Sequence, residues 1–534
     1  MMRSDIIRMY KDVHSWVGII SGLFLFIAFY AGAITMFEVP LQRWASPPSP
    51  AMPGYSQAVA LEDTDKLVAA VIAEHPDAAK RYTIHVNVTP ETPARMSWTT
   101  GQRGEPGPTY YASFDKTGEV TVTEQGPSPV AEFVDILHQQ IGLPLPHEPA
   151  MMLMGAVCLL YAIALVSGTF VLIPSLIKDL FLVRLGKNVK RMWLDVHNVL
   201  GLFSLPFHIV IVLTSLVFAF HDQFYEVQET VFARSIVAEE HHDEPKANGP
   251  LMAPHLLVKE VNRQLPSFTP ETLLYAQDKK TKAYGLRVQG VDPMRGLRGP
   301  TFGVGIVDPY SGAIVGDDYL PGKQSGWFAT VSSFFSLHFG NFGGAPVRWM
   351  YFALGLAGAF LFYTGNLLWV ESRRKKERKA GAVEQTRSTR ALASLTIGVM
   401  TGSMAGISLT IAAAKWLGGG ATEGQHSLIY YALFLGMTAW AFVRGAAKSA
   451  PELLILTALA TLAIPVTSLL GEIMGAWNHG GATLLVDGVA LLGAAFFLYA
   501  AKRARTRALH GPRDSVWSVK DGQAPAIPQE PVTV

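Results

Sequence analysis

The chain has 534 residues, 49% of them hydrophobic and only 16% charged, with a mean hydropathy of +0.25. That balance describes an integral membrane protein with water-facing parts, and a formal net charge of +2 offers no polyelectrolyte face for nucleic acid. The single cysteine, Cys158, excludes an intrachain disulfide, a cysteine-ligated iron–sulfur cluster, a Cys-rich zinc site and a C-x-x-C-H haem attachment, so any redox chemistry needs a non-covalent cofactor.

In chain order, the first apolar run, Val17 to Phe37, is long enough to span a bilayer and has no A-x-A site after it, so it reads as a retained span. Windows of ~20 apolar residues predict eight spans, at 15–38, 150–173, 195–220, 346–370, 391–415, 426–444, 452–474 and 482–502. Basic clusters fall on one side if all eight cross: Arg3, Arg8 and Lys11 before the first, Lys178 to Arg191 between the second and third, Arg373 to Lys379 after the fourth, and Lys502 to Arg507 after the eighth. The positive-inside rule then predicts cytoplasmic termini. The chain divides into a first span (1–39), a water-facing segment (40–145), two spans with a basic loop (146–221), a second water-facing segment (222–340), a fourth span (341–380), a four-helix membrane module (391–502) and a disordered tail (511–534). Each water-facing segment joins a helix-like stretch ("TDKLVAAVIAEHP", "PHLLVKEVNRQLP") to strand-like ones ("RYTIHVNVTP", "AYGLRVQG", "TFGVGIVDPYSGAIVGDD"), which predicts two small α+β domains.

The first four spans are an internal duplication. "HSWVGIISGLFLFIAFYAGAITMFE" from His14 parallels "HNVLGLFSLPFHIVIVLTSLVFAF" from His197, and "FVDILHQQIGLPLP" around His138 parallels "FFSLHFGNFGGAP" around His338. His14 and His197 therefore sit at the basic edge, His138 and His338 at the opposite edge, and His208 deeper. Eleven residues separate His197 and His208, so a straight helix would put both rings on one face, about 20° apart and roughly 16 Å along the axis. An imidazole in hydrocarbon must satisfy both nitrogens and is a good axial ligand for haem iron. The pattern supplies one inner pair and one outer set, and Gly18, Gly22 and Gly201 would let a flat macrocycle approach the backbone. His147 is a weaker candidate at the outer rim. His75, His85, His221, His241, His242, His255, His426, His479 and His510 read as surface or loop residues, with "HHDEP" at 241 a possible metal loop. Asp12 and Asp195, each two residues before a paired histidine, are the carboxylates nearest to a porphyrin-free metal site.

"MYKDVHSWVGIISGLFLFIAFYAGAITMFE", "DVHNVLGLFSLPFHIVIVLTS", "LHFGNFGGAPVRWMYFALGLAGAFLFYTGNLLWVESRRKK" and "VDPYSGAIVGDD" resemble the PepSY-associated transmembrane-helix family of bacterial inner-membrane proteins, which includes iron-regulated membrane proteins and di-haem siderophore reductases. The resemblance covers about residues 5–378. It implies a mainly α, polytopic protein with two PepSY-like periplasmic domains and two non-covalent, bis-histidine b-type haems. The inner haem would use His14 and His197, and the outer one His338 with either His138 or His208. Repeat symmetry favours His138, whereas depth favours His208, whose counterpart in the first repeat is Leu25. The resemblance further implies electron transfer from a quinol or cytoplasmic reductase to a periplasmic acceptor, a ferric siderophore in iron uptake.

Arg43, Trp44, Trp327, Arg348 and Trp349 are candidate acceptor contacts or aromatic-belt anchors. No G-x-G-x-x-G follows a strand and no P-loop occurs, so the electron donor is a separate molecule. Spans five to eight carry no redox motif and read as a packing or oligomerisation module, with partner docking or quinone handling as the alternative. The rival functions are a transporter using a histidine proton relay and a non-enzymatic periplasmic binding or sensor protein.

Overall fold

The computed structural model describes residues 4–46, 59–88, 92, 94–100, 108–115, 117–125, 128–175, 184, 189–221, 223, 249–295, 303–380, 385–418, 421–474, 481–512 and 514–519. Its helices are α1 (Ser4–Thr35), α2 (Glu38–Ala45), α3 (Thr64–Glu74), α4 (Val130–Gln139), α5 (His147–Leu172), α6 (Val189–Phe203), α7 (Leu205–Ala219), α8 (Pro254–Gln264), α9 (Gly326–Phe339), α10 (Gly344–Lys379), α11 (Arg387–Leu417), α12 (Glu423–Arg444), α13 (Ala446–Ile473) and α14 (Gly481–His510). Among the described residues, α1, α5, α10, α11, α12, α13 and α14 are long and apolar enough to cross a membrane, and α6 with α7 makes an eighth where the bent pair is one span. The chain is a multi-pass membrane protein.

The break corrects the expected straight helix over 195–220. α6 and α7 meet at a 67° bend. Pro206 has no N–H to donate and its ring would clash with the preceding turn, so the first helix ends at Phe203 and Ser204 opens the second. His197 and His208 therefore lie on two differently directed helices and share no face.

α1 is the axis of the first half, packing against α5 and α10. Leu25, Phe26, Phe29, Met154, Cys158, Tyr161, Val212 and Ala359 form the buried core of that bundle.

The two water-facing segments do not stay separate. Each supplies a helix and four strands: α3 with β1 (Arg81–His85), β2 (Met96–Thr99), β3 (Thr109–Phe114) and β4 (Val120–Gln125), then α8 with β5 (Thr269–Gln277), β6 (Tyr284–Val291), β7 (Gly303–Val307) and β8 (Ile314–Tyr319). The strands form one eight-stranded antiparallel sheet, ordered β4-β3-β2-β1-β5-β6-β7-β8. The halves join where β1 pairs with β5, Thr83 opposite Leu274 and Tyr82 opposite Tyr275. One face buries Ile84, Met96, Trp98, Leu273, Tyr275 and Leu286 under Leu67 and Val71 of α3 and Leu257 and Val261 of α8. The alternation of apolar and polar residues along β1, β5 and β6 is what a one-sided core demands.

The last four helices form a module centred on α11. Its glycines Gly398, Gly402 and Gly406 recur every four residues and lie against α12, where a Cβ would come within 2.7 Å of the Thr438 backbone, 2.8 Å of the Phe434 carbonyl and 2.8 Å of the Tyr430 ring, respectively. A second stripe, Ser394, Thr401, Ser408 and Lys415, recurs every seven residues and is buried throughout. Ser408 meets Thr461 of α13 at 3.0 Å, Thr457 donates to the Thr401 carbonyl at 3.3 Å, and Lys415 donates to Ser468 at 3.0 Å. Small residues and hydroxyls are what join helices where lipid removes the hydrophobic drive. After α14, Asp514 bonds Arg374 at 2.7 Å and Trp517 packs on the module, so the folded chain continues past Gly511 to Val519. Residues 520–534 of the expected tail lie outside the described residues.

Candidate functional site

Four of the five candidate histidines meet in pairs. His14 of α1 faces His197 of α6 with ring centres 6.1 Å apart, and His138 of α4 faces His338 of α9, also at 6.1 Å. The first pair lies near the basic ends of the helices and the second near the sheet.

Each ring is held by one nitrogen. His14 Nδ1 lies 2.8 Å from the Ala164 carbonyl of α5, and His138 Nδ1 lies 2.8 Å from the Ala28 carbonyl of α1. A carbonyl only accepts, so both Nδ1 atoms carry the proton. His197 and His338 use threonines instead. Thr364 of α10 donates its hydroxyl proton to Leu361 at 2.7 Å, which leaves its lone pairs to accept from His197 Nδ1 at 2.9 Å. Thr214 of α7 donates to Val210 at 2.8 Å and accepts from His338 Nδ1 at 2.9 Å. All four rings are thereby fixed in one tautomer, with Nε2 a free lone pair. No hydrogen bond engages any of these four Nε2 atoms among the described residues. A ring held at Nδ1 with its other nitrogen bare is how proteins prepare an imidazole for a metal.

Glycine makes room for two of the rings. A Cβ on Gly168 would stand 2.8 Å from His14, and one on Gly32 would stand 2.7 Å from His138. By contrast Gly18 has nothing within 4 Å of its Cβ position, and Gly22 and Gly201 meet only Asn366 and Leu361. The glycines that touch the paired rings are therefore not the three that the repeat pattern singled out. The turns after the outer pair do repeat: Gly142 and Gly340 take the left-handed backbone, with φ of 70° and 60°, and each turns the chain back toward a spanning helix.

His208 is placed differently. It is sealed at 1% exposure, hydrogen-bonded through Nδ1 to Tyr161 and surrounded by Phe29, Phe207 and Phe362, while its Nε2 meets no partner. The four paired rings are half-buried, whereas His208 is sealed. Among the described residues His208 faces no second histidine, and the geometry pairs His338 with His138.

The other candidates divide. Trp44 is 1% exposed and donates to Ser468 at 3.0 Å and to Asp487 at 2.9 Å, with Lys415 over its ring, so it faces the module and not an external molecule. Arg43 and Arg348 reach the surface, and Trp349 packs on Phe37 while staying 37% exposed. Trp327 is 58% exposed, and His147 is exposed at the first turn of α5, apart from both pairs. Asp195 is committed to Arg184 and Arg191, and Asp12 is exposed. Two residues expected at the surface are buried: His85 bonds Ser97 inside the sheet at 2.8 Å, and His426 stacks on Phe133. Among the described residues no group of three or more His, Cys, Asp or Glu could hold a bare ion; His241, His242 and His479 lie outside them.

The separation tests whether an iron porphyrin suits these rings. A metal–imidazole bond is about 2 Å and the ring centre lies about 1 Å beyond the nitrogen, so two imidazoles on one metal stand about 6 Å apart, centre to centre. Both pairs match that spacing, and both offer Nε2. Residues 12–372 match the PepSY-associated TM region.

The chain belongs to the PepSY-associated transmembrane family. No curated protein matches it. The matched stretch contains all four paired histidines and Ala28, Ala164, Thr214 and Thr364; α11 to α14 lie beyond it. Within this PepSY-associated protein the repeat extends to the supporting residues, because Ala164 follows His138 and Thr364 follows His338 by the same 26 positions. That equal offset was available in the sequence as the signal for a residue whose only role is to orient a ring.

Proposed function

We propose that this PepSY-associated protein binds two b-type haems non-covalently, one between His14 and His197 and one between His138 and His338, and carries electrons across the bacterial inner membrane. The observation that supports it is four rings anchored through Nδ1, with Nε2 left unbonded among the described residues, in two pairs whose ring centres stand 6.1 Å apart. Haem iron held by two imidazoles supplies a one-electron carrier at each level. The chain's own residues aim the rings and strengthen Nε2 as a donor through the Nδ1 hydrogen bonds. By the positive-inside rule the basic helix ends and both termini are cytoplasmic and the sheet is periplasmic. The acceptor is a ferric siderophore, since reduction to ferrous iron weakens hard-oxygen chelation, and Arg43, Arg348 and Trp349 are its nearest surface contacts. The donor is a quinol or a cytoplasmic reductase. A histidine proton relay fits less well, because the Nδ1 protons end on carbonyls and threonines and not on further rings.

Pyridine haemochrome quantitation of the purified chain tests the reading: two haems per chain, with a Soret band that shifts on dithionite. His14→Ala and His197→Ala should each remove the same single haem, and His138→Ala and His338→Ala the other, while His208→Ala keeps both. A colourless protein would end the proposal.

A further inference from the structure

Around the inner pair the charges are unevenly committed. Arg184 and Arg191 hold Asp195, at 3.7 and 3.1 Å; Arg374 and Arg507 hold Glu371, at 3.0 and 3.2 Å; and Arg374 also holds Asp514. The arginines have taken the buried carboxylates. Three lysines from three different helices have none: Lys11, Lys190 and Lys375 form no ion pair among the described residues.

Helical phase directs all three lysines to the inner site. Lys11 precedes His14 by three residues, just short of one turn and about 60° off its direction. Lys190 precedes His197 by seven, two turns, about 20° off its direction. Lys375 follows Thr364, which holds His197, by eleven, three turns and again about 20° off. In α1 and α6 side chains lean toward the N-terminus, which is the basic end, so Lys11 and Lys190 reach away from the rings toward the aqueous rim. The three also meet in charge: the exposed ammonium groups of Lys11 and Lys375 bear unfavourably on the half-buried Lys190, opposed by Glu371. Among the described residues the one carboxylate that bears on Lys190, Glu371, is already shared by Arg374 and Arg507, so three like charges one to three turns outside a pair of prepared imidazoles keep an excess of positive charge that an anion would settle.

We infer that Lys11, Lys190 and Lys375 form a carboxylate-binding collar for the propionate edge of the inner haem. This rests on the haem reading above. The collar fixes which edge of the macrocycle faces the basic side and distinguishes the inner site from the outer one.

The test uses the full chain in nanodiscs of zwitterionic phosphatidylcholine and compares wild type with Lys11→Gln/Lys190→Gln/Lys375→Gln. Haem loss to excess apomyoglobin should become biphasic, one haem leaving about tenfold faster, the scale of two or three partly exposed ion pairs. In optical potentiometry the same haem should shift to lower potential, because fewer nearby cations disfavour the electron. The Lys→Arg triple variant should restore both properties, and Lys376→Gln, more than 90° away in phase, should change neither. Unchanged loss and potential in the Gln variant overturn the collar while leaving the two-haem reading intact. So does a wild type that matches the Gln variant in phosphatidylcholine and regains slow haem loss only when phosphatidylglycerol is added, which would assign the lysines to lipid phosphate. A wild type without haem overturns the haem reading itself, and the collar with it.

Discussion

His14, His138, His197 and His338 were legible because duplication wrote each position twice, and drift does not repeat a Leu-His or a His-x-x-x-Gly at matching points. Thr364 was marked only by its repeat offset from His338, and Thr214, Gly32 and Gly168 not at all, because an orienting hydroxyl or an absent Cβ has no meaning until its partner is known. Their roles are separable. Thr364→Val removes the acceptor of His197 and should weaken one haem about 10-fold or more; Thr214→Val should do the same to the other, as second-sphere losses do. Haem content and potentiometry would assign each. Gly168→Leu should displace His14 and abolish the inner haem alone. His85 gives a pH signature outside the membrane. Burial first, and the nearby Arg95 second, push its pKa down to about 4. The folded sheet therefore keeps it neutral while the unfolded chain protonates it below 6.5, so stability is flat above pH 6.5 and falls, by up to about 3 kcal/mol, as pH drops toward 4. His85→Gln should flatten that slope in urea melts followed by Trp98 fluorescence.

At the scale of elements, most helices fell within a few residues of the hydropathy windows, because ~20 apolar residues in lipid have few alternatives to a helix. The exception was informative. Ser204-Leu205-Pro206 is a helix-start signature in its own right, with the proline in the first turn, but it lies inside an apolar run that hydropathy reads as one segment. The eleven-residue phase argument that set His208 on the face of His197 holds only along a straight axis. In α11 the reverse occurred: a helix with no evident chemistry carries two regular stripes, glycine every four residues and a polar residue every seven, each matched to a different neighbour. Gly402→Leu should force α12 away at the Phe434 carbonyl, and the module should lose thermal stability more than the same change at Gly436, whose Cβ position is open. Trp44→Phe removes the one indole N–H that Ser468 and Asp487 share and should cost about 1–3 kcal/mol in a detergent melt.

At the scale of the molecule, two segments more than a hundred residues apart in sequence close one sheet. Local patterning revealed the strands but not the β1–β5 seam, since edge-to-edge pairing depends on register between strands and either edge could have stayed free. Thr83→Cys/Leu274→Cys should form an intramolecular disulfide, found by mass spectrometry of non-reduced peptides, because directly opposed residues bring Cβ atoms to about 5 Å or closer. Two independent domains would give mixed or intermolecular products.

The module reaches further than its lack of redox residues suggests. Phe133, Val134 and Leu137 of α4 rest against Ile407, Ile411, Tyr430 and Ile464, so the helix that presents His138 is backed by residues outside the family match. Position at one end of this protein is thus borrowed from the other. A chain shortened after Lys379 would leave the helix that presents His138 without its backing, and at the opposite end it would strip Arg374 and Glu371 of Asp514 and Arg507.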